Sequence, residues 1–144
     1  MKVRNVKDWV VLLVDDTPDN LIVAETTLNY HGAAVYTASS GSEALRLLND
    51  IQPTVILLDI RMPGMDGWKV FENLRANPQT ASIPVIAVTA YAMDRDRDEV
   101  LARGFDGYIA KPFDVMAFID TIGDILDERV DCQPADQQQG AQTL

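Results

Sequence analysis

Cysteine and histidine are nearly absent from this sequence, which contains one of each, Cys132 and His31. A single cysteine cannot form an internal disulfide, and these two residues cannot supply the Cys-rich or His-rich ligand set of a structural zinc site. Disulfide-stabilised scaffolds and zinc modules are therefore excluded.

Long apolar runs are missing as well. No stretch approaches the roughly 20 apolar residues that cross a bilayer. The basic N-terminal residues, MKVRNVKDW, are not followed by the apolar segment of a signal peptide. We therefore predict a cytoplasmic protein that does not enter a membrane.

Basic residues are few relative to acidic ones: 12 Lys and Arg stand against 22 Asp and Glu, for a formal net charge of -10. Nucleic acids and anionic membranes require a basic surface, so neither is an expected partner. The acidic excess instead suits solubility and cation binding.

The remaining composition is that of one globular domain, with 47% hydrophobic and 24% charged residues in a chain of 144. The last residues, DCQPADQQQGAQTL, are too polar to order themselves. We predict one folded domain over residues 1–129 and a disordered polar tail over residues 130–144.

Five apolar segments alternate with helical patterns. The predicted strands are Trp9–Val14, Ala33–Thr37, Thr54–Leu58, Val85–Val88 and a short strand near Tyr108 and Ile109. The first predicted helix runs from Pro18 to Gly32, and the second covers about 40–50. The third ends at about Ala76, and the last two cover about 92–103 and about 114–128. This repeated βα order predicts an α/β fold with a five-stranded, parallel, doubly wound sheet of the flavodoxin-like order 2-1-3-4-5.

Acidic residues end two of these strands. Asp15 and Asp16 follow the first strand, and Asp59 follows the third, its neighbour in the predicted sheet. Three carboxylates at one edge repel each other unless a cation lies among them, and hard oxygen ligands favour Mg2+. The alternative interpretation is that these aspartates only cap helices, which would suit Asp16 before Pro18.

Complementary groups end the other strands. Thr89 follows the fourth strand and Lys111 follows the fifth, so a hydroxyl and an ammonium should reach the same edge as the acids. A phosphoryl group could be hydrogen-bonded and neutralised by this set. Taken singly, Thr89 could be an ordinary strand residue and Lys111 a solvated surface lysine.

Four segments, VLLVDD, VILLDIRMPGMDG, VIAVTA and YIAKPF, resemble in order and spacing the signature segments of response-regulator receiver domains. The resemblance covers roughly residues 8–128, and ASSGSEAL, Ala38–Leu45, extends it beyond the acidic residues. A hydrolase of the haloacid dehalogenase type would carry DxDxT where this chain has DDTPD. A flavin-binding flavodoxin-like protein shares this topology, but the two adjacent aspartates after the first strand would repel the phosphate that this loop should bind.

The resemblance implies that Asp59 accepts a phosphoryl group from phosphohistidine on a sensor histidine kinase or a histidine phosphotransfer protein. It implies Mg2+, with Mn2+ as a substitute, held directly by Asp16, Asp59 and the backbone carbonyl of Arg61, and through water by Asp15. Thr89 and Lys111 would contact the phosphoryl group.

The resemblance also implies a switch residue and two residues that set the lifetime of the phosphoryl group. Tyr108 resembles the aromatic residue that turns inward as Thr89 moves toward the phosphate, although it could be only a half-buried strand tyrosine. Arg61 and Tyr91 occupy positions that tune the lifetime of the phosphoryl group. Since both are bulky here, we hypothesise slow water entry and a long-lived phosphorylated state.

The implied output is protein contact rather than turnover of a diffusible substrate. The surface of the fourth helix, fifth strand and fifth helix would control an unidentified downstream protein, with the chain as a monomer or a phosphorylation-dependent homodimer. The alternatives are a receiver fragment of a hybrid histidine kinase and a phosphorylation-independent binding module.

The first helix has more apolar residues than one buried stripe accommodates. One or two of them should therefore stay exposed, where they would suit docking of the phosphohistidine donor.

Overall fold

A computed structural model describes residues 6–60, 67–89, 94–110 and 115–132. Its sheet is parallel and has the predicted order, β2-β1-β3-β4-β5. The strands are β1 Val10–Val14, β2 Ala34–Ala38, β3 Val55–Asp59, β4 Val85–Thr89 and β5 Gly107–Ala110. The predicted fold class is confirmed, and each strand end lies within one residue of its predicted position.

The described helices alternate with the strands. They are α1 Pro18–Tyr30, α2 Gly41–Leu47, α3 Gly67–Ala76, α4 Asp94–Ala102 and α5 Val115–Cys132, and a short 3-10 turn, Val6–Asp8, precedes β1. Helix α5 continues three residues into the segment predicted as a tail, and residues 133–144 of that tail lie outside the described residues. Within the described ranges, no helix has the length and apolarity needed to span a membrane.

The sheet separates two apolar clusters, because successive strand residues point to opposite faces. Leu12 and Val14 of β1 pack with residues of α2, α3 and the end of α4. Val11 and Leu13 pack instead with residues of α1 and α5. Both faces of the sheet are thus covered by helices, which leaves the ends of the strands as the places where loops and polar groups collect.

Helix α1 exposes part of its apolar surface, as predicted. Ile22 is 59% exposed and Val23 is 42% exposed, whereas Ala24 and Leu28 are buried against the sheet. Both exposed residues belong to the helix that begins at the carboxyl end of β1.

Candidate functional site

Strand register brings the three predicted acidic residues together. Val14 of β1 pairs with Leu58 of β3, so Asp15 and Asp59 follow at neighbouring positions. One carboxylate oxygen from each of Asp15, Asp16 and Asp59 lies within 4.8 Å of the other two. Asp15 and Asp59 are 6% and 3% exposed, whereas Asp16 is exposed to solvent.

Hydrogen bonds in the turn after β1 orient Asp15. The Asp15 backbone N–H donates to the carbonyl of Ala38 at 3.1 Å, and the Thr17 N–H donates to Asp15 Oδ1 at 2.9 Å. The N-cap of α1 is Thr17, which makes no side-chain capping bond. The interpretation of Asp16 as the helix cap is therefore wrong: the local acidic contact comes from Asp15, and Asp16 lies before the cap.

Gly67 packs closely against the backbone of Asp59 and Ile60, a contact that the sequence alone does not reveal. Its N–H donates to the carbonyl of Ile60 at 3.0 Å. A Cβ atom on Gly67 would lie 2.5 Å from both the Asp59 carbonyl oxygen and Ile60 Cα, closer than van der Waals contact permits. Only glycine fits here without a backbone shift.

The chemistry of this cluster suits a hard divalent cation. It offers carboxylate oxygens, two of them on nearly buried residues, and like charges this close raise the energy of the site unless a cation offsets them. The described residues therefore fit Mg2+. The remaining predicted ligand, the carbonyl of Arg61, lies outside the described residues.

The other predicted site residues are placed only in part. Thr89 is the last residue of β4, one position beyond the pairing of Asp59 with Val88, and it pairs with Ala110 of β5. The side chain of Thr89 is outside the described part, as are Lys111 and Tyr91. Tyr108 lies in β5, half-buried against the cluster on the side of α2 and α3.

The model of the response regulator receiver domain family matches residues 11–123 of this chain. The chain belongs to this family. It is therefore a receiver domain of two-component signalling, and the matched range contains β1 from Val11 onward, β2 to β5 and all of the acidic cluster.

Known relatives and structures agree with this assignment. The polar-differentiation response regulator DivK of Brucella ovis is 37% identical over 112 residues, which are 78% of this chain and 91% of DivK. The chemotaxis response regulator CheY4 of Vibrio cholerae superposes with a TM-score of 0.76 at 29% identity, covering 81% of this chain and 98% of CheY4. The sensor protein GacS of Pseudomonas syringae is 37% identical over 105 residues, 71% of this chain but 12% of GacS.

Proposed function

We propose that this receiver accepts a phosphoryl group from phosphohistidine onto the carboxylate of Asp59. The observation that carries the proposal is the group of three carboxylates at the carboxyl edge of the sheet, in which Asp59 is only 3% exposed. In the transfer, the N–P bond of the donor breaks and an O–P bond to Asp59 forms. The product would be an acyl phosphate at the end of β3.

Asp16, Asp59 and the carbonyl of Arg61 would hold Mg2+ directly in this proposal, and Asp15 would act through water. When bound, the cation supplies positive charge that offsets the carboxylates and the phosphoryl oxygens. The protein contributes orientation: the Thr17 N–H fixes one oxygen of Asp15, and Gly67 permits close packing behind Asp59. Mn2+ should substitute because it accepts the same oxygen ligands.

Phosphorylation would be sensed by residues on the neighbouring strands. In the proposal, the hydroxyl of Thr89 and the ammonium of Lys111 bind the phosphoryl oxygens. Tyr108 would then turn inward and change the surface of α4, β5 and α5 that a downstream protein contacts. The backbone register supports this, since Thr89 is one position beyond the Asp59–Val88 pair and pairs with Ala110, the neighbour of Lys111.

Arg61 and Tyr91 would set how long the acyl phosphate lasts. Two bulky side chains at these positions should slow the approach of water to phosphorus. We expect a longer phosphoryl lifetime than in an Arg61→Ala, Tyr91→Ala double variant, measured by loss of radiolabel after donor removal. Equal lifetimes would remove the tuning role and leave Asp59 as the acceptor.

The donor would be a sensor histidine kinase or a histidine phosphotransfer protein, and no turnover of a diffusible substrate is expected. The match to part of the sensor protein GacS favours a second candidate, a receiver that works within a hybrid kinase. A phosphorylation-independent binding module is the third. Partner binding that is lost in Asp59→Asn would separate the phosphorylated receiver from such a constitutive module.

The direct test is intact-protein mass analysis after incubation with acetyl phosphate and Mg2+. We expect the mass to rise by one phosphoryl group in the wild type and to stay unchanged in Asp59→Asn or after chelation of the metal. An unmodified wild-type protein with a native circular dichroism spectrum would contradict the proposal. Modification that persists in Asp59→Asn would place the acceptor elsewhere.

A further inference from the structure

Trp68 connects the backbone behind Asp59 to a second part of the molecule. It follows Gly67, the residue that touches the carbonyl of Asp59, and its side chain is half-buried. Its ring meets Phe105 edge-to-face, with centroids 5.7 Å apart and an angle of 89°. Phe105 in turn stacks on Phe71 at 3.9 Å and 15°. The first turn of α3 is therefore fixed to the segment between α4 and β5.

A charged residue, Arg103, also contacts the Trp68 ring. The guanidinium carbon of Arg103 lies 4.2 Å from the centroid of the Trp68 ring, within the range of a cation–π interaction. The same guanidinium pairs with Glu99 of α4 at 3.2 Å. The end of α4 is thus joined through Arg103 and Trp68 to the residue that packs on the acceptor strand.

We infer that Trp68, held by Arg103, is a positioning residue for the Asp59 site. The inference rests on the proposed function, because it concerns the cation that Asp59 and its neighbours would bind. The backbone of Asp59 and Ile60 leaves no room for a Cβ atom on Gly67, and the Gly67 N–H donates to the Ile60 carbonyl at 3.0 Å, so a tilt of α3 would disturb this backbone. The Trp68 contact resists that tilt, and by thermodynamic linkage occupancy of the site must act back on Arg103 and the end of α4.

Removing Arg103 could change the affinity for Mg2+ in two ways, and these two effects have opposite signs. Loss of a positive charge alone would strengthen Mg2+ binding, since like charges repel. Loss of a positioning contact would weaken it. Lys69→Ala is a matched control, since it removes one positive charge from the residue next to Trp68, where the side chain is 64% exposed.

The experiment is calorimetric titration of Mg2+ into the full chain. We expect Arg103→Ala to bind Mg2+ about two- to fivefold more weakly, the range that an exposed cation–π contact can supply. Arg103→Lys, which keeps the charge but not the planar stack, should recover only part of the loss. Lys69→Ala should bind as tightly as the wild type or more tightly.

A double variant tests whether Arg103 acts through the ring. In a Trp68→Leu background, Arg103→Ala should no longer weaken Mg2+ binding, because the partner is already gone. In a Trp9→Phe protein, the fluorescence of Trp68 should change as Mg2+ binds, and this change should be smaller with Arg103→Ala.

Two failures can be told apart. If Arg103→Ala binds Mg2+ as tightly as the wild type, or if its effect survives Trp68→Leu, the inference is overturned while the proposed function stands. If wild type and Asp59→Asn bind Mg2+ alike, the proposed cation site fails and the inference fails with it. Circular dichroism of each metal-free variant verifies that it is folded.

Discussion

The two ends of the sheet use aspartate in opposite ways. At the carboxyl ends of the strands, oxygens of Asp15, Asp16 and Asp59 lie within 4.8 Å of one another. At the amino ends, Asp106 precedes β5, and its Oδ2 accepts hydrogen bonds from the Val85 N–H at 2.8 Å and from Arg75 at 3.2 Å. Three carboxylates therefore lie together at the carboxyl end, whereas at the amino end the charge of Asp106 is neutralised by Arg75.

This difference separates a structural aspartate from a ligand-binding one. Arg75 also donates to the carbonyl of Ile83 at 3.0 Å, and its guanidinium lies 4.8 Å from the centroid of the Phe71 ring. Asp106 therefore ties α3 to β4 and β5 with complementary partners. Close like charges repel one another, so a bound cation would stabilise the carboxyl edge, whereas Asp106 is paired with Arg75 within the protein.

The largest expected effect is at the amino edge. Asp106→Ala removes the acceptor of the Val85 N–H and the partner of Arg75, which is 25% exposed, so we expect a loss of about 3 kcal/mol in the free energy of unfolding. Urea denaturation checks this, with the exposed Asp98→Ala expected within about 0.5 kcal/mol of the wild type. A similar small loss for Asp106→Ala would mean that this pairing is no more important than a surface charge.

The next effect sharpens the account of the carboxyl edge. Gly67→Ala places a methyl group against the rigid backbone of Asp59 and Ile60, so we expect a loss of about 2 kcal/mol and weaker Mg2+ binding. Gly107→Ala is the control: its added Cβ would meet side-chain carbons of Ile125 rather than backbone, at the amino end of β5 and so at the opposite end of the sheet from the acids. A Gly67→Ala protein with unchanged Mg2+ affinity would show that this close packing does not position Asp59.

A smaller effect of the opposite sign is expected at Asp59 itself. Without Mg2+, Asp59→Asn removes one of three like charges, so the free energy of unfolding should rise by about 1 kcal/mol. With saturating Mg2+ the order should reverse, because binding stabilises only the protein that keeps the site. Urea denaturation with and without Mg2+ measures both. A variant less stable than the wild type in chelator would indicate that repulsion does not dominate this edge.

The sequence predicted the carboxyl edge better than the amino edge for a physical reason. Strand order follows from the repeated βα pattern, and once it is known, Asp15 and Asp59 must meet at one edge. The pairing of Arg75 with Asp106 and the contact of Trp68 with Arg103 join residues whose proximity depends on how helices pack. No local pattern specifies those contacts.

Helix starts show the same limit on a smaller scale. Ser40 and Glu43 have the local spacing of a capping box, and the bond that this spacing favours is present, with the Glu43 N–H donating to Ser40 Oγ at 3.1 Å. Helix α1 starts at Pro18 as predicted, but its side-chain contact was harder to predict, because the N-cap Thr17 makes no side-chain bond and its N–H donates to Asp15, two residues earlier. The predicted roles of Lys111, Arg61 and Tyr91 stay predictions.

The smallest predicted effect concerns Glu43, a carboxylate near the start of α2 that is stabilised mainly by hydrogen bonds, with a smaller contribution from the positive charge of Arg46. The N–H and hydroxyl of Ser39 donate to Glu43 Oε1 at 2.8 and 3.1 Å, and these bonds hold the pKa of Glu43 below its usual value of 4.5. A lowered pKa means that the folded state favours the charged form, so this stabilisation is present above about pH 4.5 and is lost as the pH falls through the lowered value. We expect Glu43→Gln to lower the free energy of unfolding by about 0.5 kcal/mol near neutral pH, and the difference from the wild type to narrow as the solution is acidified. Denaturation across that range, with the exposed Glu72→Gln as control, checks it, and a gap that widens on acidification would show that the bonds favour the protonated carboxyl.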